Sequence, residues 1–332
     1  MKSTFAVGAR LSAVLWVIGA VVGGYLPAPG VVAAQGSTST PQTTIGAPDN
    51  PQRFDTPQQA ASALIEAAAK FNAPALVRIF GRDGQDIVLT GETPRDRQRA
   101  ANFAAAAKEK TRISVDQAKG YAYLIVGNQD WPFPAPLVKR GSQWAFDIAT
   151  ARQELLYRYI GANELDAITI CRGYVDVQYQ YAYQTRQGYG VHQYAQRLIS
   201  TSGTHDGLAW RNPDGTWGGP MGENVARALA QGYSGSRTEP FHGYYFKILT
   251  GQGPAAPLGA MNFVVKGAMI GGFGLAAAPA KYRVTGVKTF IVSYEGIVYQ
   301  KDLGPNTLEI FKNMTLYNPD KTWQRTDDNW PH

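Results

Sequence analysis

Asn163 to Ala182, NELDAITICRGYVDVQYQYA, is the stretch that decides the architecture of this chain. Leu165, Ile168, Cys171, Val175, Tyr179 and Ala182 recur at intervals of three or four and lay one apolar stripe along a helix. Glu164, Asp166, Arg172, Asp176 and Gln180 fall on the opposite face, and Asn163 is the expected N-cap. Just upstream, Thr150-Ala151-Arg152-Gln153 reads as a capping box opening another helix with Leu155, Leu156, Tyr159 and Ile160. Gly161 is expected to break or kink the path between the two.

Downstream the texture changes to glycine-rich turns and short apolar runs: Tyr244–Leu249, Asn262–Val265, Gly272–Leu275, Lys288–Val292 and Gly296–Gln300. The connections are mostly too short for crossover helices, so the strands should pair antiparallel. Upstream, Thr56-Pro57-Gln58-Gln59 supplies a cap and a first-turn proline for a helix carrying Ala60, Ala61, Leu64, Ile65 and Ala68. A second helix is expected from Pro74 to Phe80, closed by Gly81, and a third from Thr93 to about Lys110. Tyr121–Val126 then alternates as a strand, and Leu137–Lys139 with Trp144–Phe146 forms a hairpin.

Helices before strands, twice over, is an α+β order. The expected domains are 54–150, helices on a curved antiparallel sheet, and 151–320, a long helix packed on an antiparallel strand meander, followed by a tail over 321–332. Before them stands a segment of another character. Lys2 and Arg10 precede the apolar run Leu11–Leu26, and Val32-Ala33-Ala34 puts small residues ahead of Gln35. Residues 1–34 therefore read as a signal peptide with an A-x-A-like cleavage site, the other reading being an uncleaved anchor. Glycines dilute the apolar run and Pro27 ends it, so a cleaved product without a permanent membrane span is expected. Residues 35–53, rich in Ser, Thr, Pro and Gln, read as a disordered linker.

Export fixes the compartment as periplasmic or secreted. The chain has a single cysteine, Cys171, so no internal disulfide can form and stability must come from burial. A formal charge of +7 falls to +5 without Lys2 and Arg10, a mild balance compatible with anionic envelope polymers. Only Arg95, Arg97, Arg99, Lys108, Lys110 and Arg112 concentrate locally, on an alanine-rich helix, and a solvated face accounts for them without nucleic acid.

Three resemblances follow from these residues. The element order of the N-terminal half is similar to the nuclear-transport-factor-2-like fold. Asn163–Ile168 with Arg172, Gln178 and Tyr181, and then Ala278-Pro279 through Thr285–Phe290 with Glu295-Gly296, resemble the soluble helix and closing hairpin of a type IV pilin-like fold. Unlike a pilin, this chain places a whole domain before that helix. At a closer level, Asp130–Gly141, Tyr194–Ser200, His242–Leu249 and Val298–Gly304 resemble the secreted bacterial family catalogued as domain of unknown function 2950, a resemblance that implies no activity.

Gly272-Phe273-Gly274-Leu275-Ala276-Ala277, with Glu295 about 20 residues on, imitates a dinucleotide fingerprint. Pro279 and Gly286 leave no room for the helix the fingerprint requires, so no nucleotide cofactor is expected. The four histidines show no helical zinc spacing, and no metal site is expected. His205 and Asp206 could join His242 and a carboxylate, Glu295 or Asp302, as an acid/base cluster, or serve only as turn residues. Cys171 reads as a buried, inert thiol.

Two features read as binding surfaces. Trp131-Pro132-Phe133-Pro134-Ala135-Pro136 must be extended, so Trp131 and Phe133 either form a rigid ridge or bridge two strands. Tyr174, Tyr179, Tyr181, Tyr183 and Tyr189, interleaved with glutamines, suit a protein or saccharide surface, or packing between the domains. The expected function is an exported, non-enzymatic binding or scaffold protein of the bacterial cell envelope, meeting an envelope protein or polysaccharide. The alternative is an envelope hydrolase or glycan-modifying enzyme with a site between the domains.

Overall fold

The computed structural model describes residues 48–90, 92–184, 192–223 and 240–326. The signal segment over 1–34, the linker up to residue 47, Tyr189 and the tail beyond residue 326 lie outside the described residues. The chain divides into two compact units between Arg158 and Tyr159.

The N-terminal unit begins with α1 (Pro57–Ala69), whose first turn is closed by Thr56 Oγ1 accepting from Gln59 N, while Gln59 Oε1 accepts from Asp55 N. Asn72 caps α2 (Ala73–Phe80) in the same way, and Gly81 ends it at φ +70°, where a Cβ would lie 2.8 Å from the Asn50 carbonyl carbon. A 3₁₀ turn and the short α3 (Gln85–Val88) lead to α4 (Thr93–Glu109). The sheet that follows is antiparallel, in the order β1 (Thr111–Asp116), β2 (Tyr121–Val126), β4 (Leu137–Arg140), β5 (Gln143–Phe146), with β3 (Trp131–Pro132) also on β2. Gly141 at φ +67° makes the two-residue turn of the predicted hairpin, where Arg140 faces Gln143. Ala122, Leu124 and Val126 alternate inward and join Leu64, Phe80, Leu137 and Phe146 in this unit's core.

One helix, α5 (Ile148–Gln184), runs from the first unit into the second. This corrects the expectation of two helices. Asp147, not Thr150, closes its first turn, its carboxylate accepting from Thr150 N at 3.2 Å and Thr150 Oγ1 at 2.8 Å. Gly161 lies in the helix with open space around its Cβ position and interrupts nothing. A helical glycine costs only about 1 kcal/mol against alanine, less than breaking a continuous ladder. Asn163 is an interior helical residue rather than a cap, and its amide is spent on tertiary structure, as described below.

In the C-terminal unit the main sheet runs β18 (Gln324–Arg325), β16 (Val298–Asp302), β15 (Lys288–Ser293), β14 (Gly274–Pro279), β9 (Tyr244–Leu249), all antiparallel. Along β15, Phe290 and Val292 enter the core that contains Cys171, Tyr174 and Tyr181 of α5, while Ile291 enters a second core with Phe311 of α6 (Thr307–Asn313). The sheet is thus buried on both faces, which is why β14 reads as continuous small and apolar residues. The expected strand at Gly272 begins two residues later: at φ +136°, a Cβ on Gly272 would meet the Phe263 ring at 2.9 Å. Smaller ladders complete the unit: β6 (Arg197–Ile199), β7 (Gly207–Arg211) and β8 (Trp217–Gly218); β10 (Gly251–Gln252), β11 (Met261–Asn262) and β17 (Leu316–Tyr317); β12 (Val264–Val265) and β13 (Ala268–Met269). Two of their pairings, β6 with β7 and β10 with β17, are parallel, whereas the strands expected from the sequence pair antiparallel. Ladders of two or three residues need no crossover helix, and the Thr201–Asp206 loop returns the chain beside β6.

Candidate functional site

The last three turns of α5 carry a residue pattern that sorts itself by helical angle. Tyr174, Gln178 and Tyr181 face the core, whereas Tyr179 and Tyr183, four apart, share the outer face. Inward, Gln178 is fully buried and fully satisfied. Its Nε2 donates to Tyr174 Oη at 2.8 Å and Ala195 O at 2.9 Å, and its Oε1 accepts from Ala195 N at 2.8 Å, so the side chain pairs with a backbone as a strand would. Tyr174 Oη passes the network on to Gly274 O of β14 at 3.2 Å. Burial pushes the Tyr174 phenol far above its ordinary range and the Cys171 thiol up to about 12, which makes both inert at neutral pH.

Outward, a cluster of aromatic rings surrounds the fully buried Phe273. Tyr194 lies 4.7 Å from its centroid, Tyr179 5.3 Å and Tyr294 6.5 Å, all edge to face. Tyr179 and Tyr194 are themselves 6.1 Å apart at 81°. Tyr179 Oη donates to Tyr294 O at 2.9 Å, which fixes the helix to the turn after β15. Tyr183 is 80% exposed and Tyr179 37%, and Tyr194 and Tyr294 are half-buried. Partial burial raises the phenols of Tyr179, Tyr194 and Tyr294, helped by their neighbours: Tyr183 acts on the first two and Glu295 on the third. The surface is neutral, aromatic and rich in hydroxyl groups, and it rests on a rigid floor.

Of the residues expected to bind, the structure brings Tyr179 and Tyr183 together here. Tyr181 is not a surface residue: it is 1% exposed and its Oη donates to His205 O at 2.6 Å. Alternate residues of a helix point about 200° apart, so Tyr179 and Tyr181 cannot share a face. Trp131 and Phe133 are partly buried and pack against the N-terminal unit's core. Phe133 lies 5.2 Å from Phe103, 6.0 Å from Phe146 and 6.2 Å from Phe80, and the Arg158 guanidinium covers the Trp131 ring at 5.1 Å. The segment links β3 to β4, with Pro134, Ala135 and Pro136 buried.

The acid/base candidates hold different partners. Asp206 binds Thr201 N at 2.7 Å, the hydroxyls of Thr201 and Thr204 at 2.8 Å, and Arg197 Nε at 3.2 Å. Burial raises its carboxyl, but the hydrogen bonds from Thr201 and Thr204 outweigh that and leave it below the ordinary value. The His205 ring stacks on Trp210 at 4.2 Å. His242 sits at φ +48° in the turn before β9, and its Nδ1 lies 2.5 Å from Asp166 Oδ2. Around that pair, Asn163 Nδ2 donates to Thr285 O at 2.8 Å, and Glu164 Oε1 accepts from Val287 N at 2.8 Å and Lys288 N at 3.0 Å.

Sequence reasoning found His242 but not its partner, and found Tyr179 but not Tyr194 or Tyr294. No local signal ties these positions, which lie 76, 15 and 115 residues apart in pairs. Among the described residues, no group of three or more His, Cys, Asp or Glu side chains is arranged to hold a metal ion. The string Gly272–Ala277 runs into β14 from Gly274 onward, and the phosphate-binding helix of a dinucleotide fold is replaced there by a strand.

No helix among the described residues is long and apolar enough to cross a membrane. No curated protein and no solved structure matches the chain. A family model described as Protein of unknown function (DUF2950) matches residues 51–326, from the segment before α1 to the end of β18 and so across both units. The chain belongs to the DUF2950 family.

Proposed function

We propose that this chain is exported and acts by binding, as a scaffold or assembly component of the bacterial cell envelope, in the periplasm or secreted beyond it. Its partner is an envelope protein or polysaccharide. The observation that carries the reading is the tyrosine surface: two rings of α5 reach solvent beside a buried aromatic floor, Tyr183 almost fully exposed and Tyr179 also braced on Phe273 and bonded to Tyr294 O. Tyrosine suits such a role because one side chain offers apolar area, a hydroxyl and few rotamers to freeze. Export rests on the pattern of residues 1–34.

The test has two arms. Fractionation of the source cells with sequencing of the mature N-terminus should place the chain outside the cytoplasm and start it at Gln35; recovery from the cytoplasm with Met1 retained defeats the export reading. Pull-down from envelope material should recover a partner with the wild-type chain and lose it with a Tyr179→Ala, Tyr183→Ala double variant, and equal recovery by both removes the surface from consideration.

The second reading, an envelope hydrolase or glycan-modifying enzyme, draws support from one observation, the 2.5 Å contact of His242 with Asp166. A carboxylate on Nδ1 orients an imidazole and leaves Nε2 available as a general base. Digestion of purified cell wall that disappears in His242→Ala, with the fold retained, would favour it over binding.

A further inference from the structure

We propose that the N-terminal unit pairs with a second copy of this chain through the open edge of its sheet, β1 against β1 about a two-fold axis at Ser114. The proposal goes beyond the binding reading above and does not depend on it. The two edges of the sheet differ. β5 is closed by Phe54, which exchanges both backbone bonds with Trp144, at 2.8 and 2.7 Å. β1 runs six residues against β2 in unbroken register, and no strand lies on its other side among the described residues. Gly127 N donates to Lys110 O at 2.9 Å, so alternation turns the backbone groups of Arg112, Ser114 and Asp116 toward β2 and those of Ile113 and Val115 toward the open edge. Leu124, opposite Ile113, agrees: its carbonyl accepts from Phe133 N on the far side of β2. Proline, a bulge or short length usually blunts such an edge, and Thr111–Asp116 has none of these.

Charge complementarity selects a second copy as the occupant. The two charged side chains of β1, Arg112 and Asp116, have opposite sign and stand two residues either side of Ser114. In an antiparallel pair centred there, each Arg112 faces Asp116 of the second copy, and each Ile113 exchanges backbone bonds with Val115 of the second copy. A shift of two residues, the smallest the open backbone groups allow, sets Arg112 or Asp116 opposite Ser114 and loses both ion pairs. The same register covers Val115, which is 43% exposed on the face where Ala122 and Leu124 are buried. Neither charge is held tightly within the chain. Arg112 is 3.8 Å from Asp130, which Lys110 holds at 2.8 Å, and Asp116 is 3.7 Å from Lys119 Nζ while also accepting from Lys119 N at 3.1 Å. A short ladder with exposed ion pairs is a small interface, so the dimer is weak and concentration-dependent.

Sedimentation of the chain lacking residues 1–34, over a concentration series at low salt, should show a monomer–dimer equilibrium that added salt weakens. Arg112→Asp and Asp116→Arg should each weaken it about tenfold or more, because each sets like charges opposite, and an equimolar mixture of the two variants should recover it as a heterodimer. Ser114→Cys places its thiol on the axis at a non-bonded pair, where Cα atoms approach to about 4.5 Å, so mild oxidation should cross-link it, whereas Tyr123→Cys on the neighbouring strand should stay uncrosslinked. Cys171 is fully buried and does not compete. A monomer at every concentration, a dimer that neither charge variant weakens, a mixture no better than its components, or Ser114→Cys that resists cross-linking while the wild type dimerises overturns the proposal. A chain that is monomeric alone but loses an envelope partner on Val115→Pro, which strips the open-edge N–H, overturns it in favour of a strand from another protein. The dimer should persist in the Tyr179→Ala, Tyr183→Ala double variant, and its loss there would move the interface to α5 and overturn the edge.

Discussion

Two ends of one helical segment do the same job in opposite ways. Around Asn163, Glu164 and Asp166, α5 grips the strands through polar side chains bonded to backbone groups of Thr285, Val287 and Lys288 and to His242. Around Gln178 and Tyr179 it grips them through a buried amide and a ring cluster on Phe273. The polar end is part-exposed, so water can replace each lost bond. The aromatic end is dry, so a lost atom leaves a cavity or an unpaired group. Both ends fix the helix, but only the second should be costly to break, and it is there that two rings are left over for a surface.

The largest break should come from Phe273→Ala, which empties the floor under Tyr179, Tyr194 and Tyr294. A loss of about 3–5 kcal/mol is expected, read as a fall in the urea midpoint at unchanged slope. Gln178→Ala comes next. It strands Ala195 N and O in the core and removes the donor to the Tyr174 hydroxyl, which keeps its own bond to Gly274 O, at a cost of about 3 kcal/mol, and Gln178→Glu should be no milder because a buried charge has no partner there. At the polar end, Glu164→Ala removes two charge-assisted bonds in a part-buried setting and should cost about 1–2 kcal/mol. If Glu164→Ala proves as damaging as Phe273→Ala, the contrast between the ends is wrong.

The smallest effect tests the Thr201–Asp206 loop beside the segment. Its carboxyl titrates below the ordinary value in the folded protein, because the native hydrogen bonds favour the charged form. Such a group stabilises the fold above the unfolded carboxyl range, near pH 4, and that contribution fades as pH falls through the lower folded value. Asp206→Asn should therefore melt a few degrees below wild type at pH 7, with the gap closing toward pH 3. A gap that widens on acidification contradicts the direction of the shift.

Legibility followed the range of the forces involved. Thr56 as a cap, Gly81 as a terminator and Gly141 as a hairpin turn were readable because each acts within four residues. Gly161 and Asn163 misled for the same reason: local preference favoured a break, and partners more than a hundred residues away, such as Thr285, favoured continuity. Tyr181 looked equivalent to Tyr179 and Tyr183 in composition and differs from them only in helical angle.

By itself the sequence determined the kinds and order of elements, α+β with one long helix ahead of an antiparallel meander, because apolar spacing, caps and glycine turns are short-range properties of the chain. Only the tertiary structure decided which tyrosines are core and which are surface, that Gln178 pairs with Ala195, and that His242 meets Asp166. Those outcomes depend on close packing and on satisfying each buried polar group, and the groups that do so come from segments the chain brings together only when it folds.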